Sequence, residues 1–76
     1  MVLVVKGKKV KSIDSICKQL ERALEKIVPA HEMDNVEFDN DIETSDKYIW
    51  SIATPAGENL QLQYIKENGY IYKKSI

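Results

Sequence analysis

Five acidic side chains, Glu37, Asp39, Asp41, Glu43 and Asp46, crowd into the stretch EFDNDIETSD, and no lysine or arginine occurs from Ile27 to Asp46. The first four alternate with other residues, and on an extended strand residues two apart share a face about 6.8 Å from one another. The spacing predicts a row of carboxylates along one side of a strand. Such a row can meet a cationic partner, imitate the regular negative charge of a nucleic-acid backbone, or simply solvate a strand edge and discourage aggregation.

Other chemistry is sparse. The calcium reading of DNDIE fails on pattern: an EF-hand loop needs glycine at its sixth position, where Thr44 stands, and alternate carboxylates on a strand do not converge on one ion. The single cysteine, Cys17, and the single histidine, His31, fall fourteen residues apart around a predicted helix. That places them roughly 20 Å apart, too far for a thiolate and imidazole to share a proton. His31 has no second imidazole or thiolate at zinc-like spacing. The three glycines, Gly7, Gly57 and Gly69, are isolated at predicted turns and form no phosphate cradle. The expectation is a protein that binds and does not catalyse, with no metal or cofactor.

With 76 residues the chain is one domain, and its 43% hydrophobic and 30% charged residues are an ordinary globular mix. Val2 to Val5 is a short apolar run followed by Lys6, Lys8, Lys9 and Lys11, the reverse of a signal peptide's order, and no apolar stretch nears the roughly 18 residues of a membrane span. A cytoplasmic protein with no membrane contact is expected, and the lone Cys17 fits a reducing compartment. The net charge of −1 conceals a dipolar chain with basic ends and an acidic middle.

The elements that must position these residues are legible from periodicity. Ile13, Ile16, Cys17, Leu20, Ala23, Leu24, Ile27 and Val28 recur at spacings of three and four, which predicts one amphipathic helix. Ser12 is its expected N-cap, and Pro29 ends it. The period then changes to two. Strands are predicted around Val36 to Glu43, Tyr48 to Ala53, Leu60 to Ile65 and Gly69 to Lys74, with turn chemistry between them and Asn68-Gly69 the strongest hairpin signal. Val2 to Val5 is a further strand, and Lys8 to Lys11 either returns as a hairpin arm or bends toward the helix. The predicted fold is α+β, two-layer: one amphipathic helix on an antiparallel four- to five-stranded meander, with Val36, Phe38 and Ile42 facing the helix and the acids facing water.

A sheet of that size is roughly 20 to 24 Å wide and a helix covers about 10 to 12 Å. Incomplete cover would leave Tyr48, Trp50, Tyr70 and Tyr72 as an oligomer or partner surface, so a homodimer, a higher oligomer or a protein partner is expected. The favoured role is to bind and inhibit or regulate another macromolecule through Glu37, Asp39, Asp41, Glu43 and Asp46, in the manner of a phage or mobile-element inhibitor or a nucleic-acid mimic. One alternative is an oligomer that sequesters a nucleotide-like small molecule between subunits. Another is weak nucleic-acid binding by the terminal lysines and sheet aromatics. It ranks lower because most aromatics are expected beneath the helix and the acidic row would repel phosphate.

Overall fold

Ser12 starts the helix as its sequence position predicts: in the computed structural model, which describes residues 1–76, the Ser12 hydroxyl accepts from the Ser15 amide at 3.2 Å. The order of elements is β1 (Val2–Lys6), α1 (Ile13–Ile27), a 3-10 helix (Ala30–Asn35), β2 (Glu37–Glu43), β3 (Lys47–Ala53), β4 (Asn59–Ile65) and β5 (Tyr70–Ser75). The five strands form one antiparallel sheet in the order β1-β5-β4-β3-β2, so β4 is central and β1 and β2 are the edges. No helix is long and apolar enough to cross a membrane.

Ile16, Leu20, Ala23 and Leu24 of α1 pack on Tyr48, Trp50, Ile52, Leu60, Leu62, Tyr64 and Ile71 of the sheet. Val28 and Val36, at either end of the 3-10 segment, close the core at one end. The anticipated shortage of cover is limited to the sheet edges, where Phe38 of β2 stays 57% exposed. Tyr48 is 6% exposed and Trp50 9%, so neither is a docking surface. Met33 of the 3-10 segment packs, partly buried, against the same core.

The link from β1 to α1 is a pinned loop, not a hairpin arm. The Tyr64 hydroxyl donates to the Lys8 carbonyl and accepts from the Val10 amide, each at 3.0 Å. Gln19 clasps Lys8 from the other side, accepting from its amide and donating to its carbonyl at 2.8 Å. Gly69, after Asn68, has φ +78°, and a side chain there would run into the Lys8 carbonyl group. Its lack of a Cβ lets the β4–β5 turn and the loop touch.

Cross-strand pairing sorts the side chains onto two faces, because directly opposed residues share a face. Val5, Ile71, Tyr64, Tyr48 and Glu43 form one row beneath the helix. Leu3, Tyr72, Gln63, Ile49 and Ile42 form a row across the opposite, open face. Between Phe38 and Asn40 the register slips, since Phe38 faces Ile52 and Asn40 faces the next residue back, Ser51. Asp39 is the extra residue of a β-bulge.

That bulge overturns the single acidic row. Before it, Glu37 pairs with Ala53 on the open face and Phe38 with Ile52 on the helix face. After it the parity is inverted: Asp41 pairs with Trp50 and Glu43 with Tyr48 on the helix face, while Ile42 pairs with Ile49 on the open face. One inserted residue moves every later side chain to the other side.

Candidate functional site

β2 is an edge strand with every residue exposed, and its stretch around the bulge stands across a gap from the side of the helix. A cleft of about 550 Å³ results, walled by Cys17 and Glu21 of α1, by Phe38 to Asp41 of β2 and by Tyr48 and Trp50 of β3. Phe38 and Trp50 meet edge to face, with centroids 5.2 Å apart and ring planes at 88°. Phe38 remains 57% exposed, so an aromatic surface is presented to solvent beside carboxylates.

The cleft is anionic. Glu21, Asp39 and Asp41 border it, and no lysine or arginine does. Asp41 is fixed in place, accepting from the Tyr48 hydroxyl at 2.6 Å. That bond, with burial adding to it, pushes the Tyr48 phenol well above its ordinary range. Burial likewise raises the Cys17 thiol, against a lowering contribution from Tyr48, so at neutral pH Cys17 offers a protonated sulfur. The arrangement has an anchored carboxylate, two freer ones, and an exposed aromatic ring. It can take up a cation by charge and by the face of a π-system.

The five acids expected to act together are dispersed. Asp39 and Asp41 line the cleft. Glu43 instead pairs with Lys66 at 2.8 Å, the only ion pair in the structure, and the same ammonium donates to the Thr44 carbonyl. Asp46 accepts from the Thr44 hydroxyl at 2.8 Å, which draws its carboxyl below the usual range and braces the β2–β3 turn. Glu37 lies on the open face. Tyr70 and Tyr72 are half-buried and belong to the open face, on the opposite side of the same sheet from Tyr48 and Trp50.

Glu21 and Cys17 are cleft residues that the acidic stretch gave no reason to include. They lie one helical turn apart, so a weak signal existed: the apolar stripe carries an acid at its border there. His31 is exposed on the 3-10 helix, and no group of three or more His, Cys, Asp or Glu side chains converges to hold a metal. Comparison with known proteins finds no matching family model, no curated relative and no similar solved structure, so function is argued from this geometry alone.

Proposed function

We propose that this chain is a non-enzymatic binding protein that regulates or inhibits another macromolecule by accepting a cationic segment of it in the cleft between α1 and β2. The observation that carries the reading is the coincidence of three carboxylates, Glu21, Asp39 and Asp41, with the half-bare Phe38–Trp50 pair in a concavity with no cation on its walls. A lysine or arginine laid over Phe38 would gain charge pairing and a cation–π contact, together worth about 1 to 3 kcal/mol per side chain. The reading favours local recognition of a basic peptide over mimicry of a long phosphate chain, because the bulge at Asp39 interrupts the row such mimicry needs. A reducing, cytoplasmic setting belongs to the same proposal and is supported by the free Cys17.

The test is fluorescence titration of a labelled arginine-rich peptide into the protein. Saturable binding should weaken in the Glu21→Gln/Asp39→Asn double variant and in Phe38→Ala, with thermal unfolding little changed because all three residues are exposed. Raising salt from about 0.1 to about 1 M shortens the screening length from about 10 to about 3 Å and should weaken binding steeply. Equal affinity for wild type and variants would sink the proposal.

A further inference from the structure

The open face of the sheet differs from the cleft in both charge and chemistry. Its central row is Leu3, Tyr72, Gln63, Ile49 and Ile42. Tyr70, opposite Lys6, stands on the same strand and face as Tyr72, two residues away or about 6.8 Å. The charged residues placed on this face by register are Lys6, Lys47 and Lys74 against Glu37 alone, with Glu67 at the nearby β4–β5 turn.

At the β1 edge Lys6 also lines a second concavity of about 220 Å³, with Lys8 and Arg22 as its other charged walls and no acid among them. None of these three cations is in an ion pair. The pocket is held open by the Gln19 clasp on Lys8 and by Gly7, where a Cβ would collide with the Gln19 side chain. Three unpaired cations around one rigid hollow make a receptor for an oxyanion, and Lys6 connects it to Tyr70.

Gln63 adds an independent indication. It lies at the centre of the open face and is 4% exposed; its amide nitrogen donates to Gln61 Oε1 at 3.1 Å, and its own Oε1 has no partner. No helix covers this side, so the cover over Gln63 consists of neighbouring side chains, with Tyr72 and Ile49 directly opposed to it. A buried acceptor left without a donor costs about 1 to 3 kcal/mol and calls for a ligand or water to complete it.

We propose that the open sheet face and the basic pocket at its β1 edge together bind single-stranded nucleic acid. A phosphate occupies the hollow formed by Lys6, Lys8 and Arg22 on the helix side of the β1 edge, the backbone turns over that edge at Lys6, successive bases lie on Tyr70 and Tyr72, and the backbone continues along β5 toward Lys74. A base that draws Tyr72 outward as it stacks also opens Gln63 Oε1 to a base N–H. From Tyr70 to Lys74 the path runs about 14 Å along β5, room for about three nucleotides including the one at the hollow. Asp41 and Glu43, which on a regular strand would have shared a side with Glu37, are carried to the helix side by the bulge and do not repel the chain.

The experiment is anisotropy titration of a fluorescein-labelled single-stranded oligonucleotide of about 12 nucleotides, with its duplex as comparison. Saturable, salt-sensitive binding tighter than the duplex's is expected. Lys6→Glu/Arg22→Glu, both at exposed positions, should weaken it at least about tenfold, and Tyr72→Ala by about 5- to 150-fold, the range of stacking on one aromatic. Gln63→Met should raise the melting temperature yet weaken binding, two opposite signs that a merely structural role does not produce. Glu21→Gln/Asp39→Asn, in the separate cleft, should not weaken it, since the only change is the loss of two repelling charges.

Binding weaker than about 100 μM, the weak limit of non-specific attraction, would overturn the proposal. So would equal affinity for duplex with no response to Tyr72, which would mean bulk attraction to lysine. A stable dimer that Tyr72→Glu returns to monomer would also overturn it, since the face would then belong to a second copy.

Discussion

Tyr48 donates its phenolic proton to Asp41 across the β2–β3 ladder at 2.6 Å, joining a buried residue of the core to an exposed carboxylate of the edge strand. The bond exists because the bulge at Asp39 turned Asp41 toward the helix side. A phenol whose folded acidity is weakened in this way stabilises the fold fully below the unfolded tyrosine value of about 10, and that contribution is lost as pH rises through the higher folded value. Alkaline titration followed by tyrosinate absorbance should show Tyr48 ionising above the ordinary tyrosine range. Asp41→Asn should bring it earlier, and Tyr48→Phe should remove it.

Tyr64 is fully buried and holds two backbone groups of the β1–α1 loop, so Tyr64→Phe leaves the Val10 amide without its partner while the Lys8 carbonyl keeps only its Gln19 bond. A loss of about 1 to 3 kcal/mol is expected in chemical denaturation, together with faster amide exchange at Val10. Unchanged exchange would show that the loop is held by the Gln19 clasp alone.

The bulge makes an uncommon deletion tolerable. Removing Asp39 joins Phe38 to Asn40 and leaves both their pairings, and every face assignment, as they are. Thermal unfolding should shift by only a few degrees. Removing Ser51 from the regular β3 ladder instead moves one half of that strand to the wrong face and should abolish cooperative unfolding.

Gly57 and Gly69 both have positive φ, at 92° and 78°, but only Gly69 is crowded. Gly57→Ala should cost about 1 to 2 kcal/mol from backbone strain. Gly69→Ala must in addition push away the Lys8 backbone, so its melting temperature should fall further and the loop should become more susceptible to protease.

Legibility in the sequence followed the regularity of the elements. The helix from Ile13 and its Ser12 cap follow from a 3.6-residue period, and β3 and β4 follow from clean alternation, because regular elements place chemistry at fixed intervals. β2 followed as a strand but its faces did not, since Phe38 and Ile42 are four apart and imply one face only if nothing intervenes. Asp39-Asn40, a pair more usual in turns than in strands, was the sole trace of the interruption. The cleft was therefore only half visible: Asp39 and Asp41 belong to the acidic stretch, but their meeting with Phe38 and Glu21 depends on a register that pairing decides. The sheet's charge asymmetry was hidden for the same reason, as Lys6, Lys47 and Lys74 meet on one face only after β1 has joined β5.

Val2 sits opposite Lys73, so the first and last strands of the chain are neighbours although nearly the whole sequence separates them. Closing that distance requires the loss of much chain entropy before any β1–β5 contact rewards it, and topologies of this kind fold slowly for their size. On the ribosome, β1 and the loop that carries Lys8 must wait for β5 to emerge, leaving Val2 and Val5 unpaired in the meantime. The same adjacency places the two ends of the polypeptide side by side, so a short linker between them, with new ends opened at the exposed Pro55–Glu58 turn, should give a circular permutant that completes its sheet in a different order.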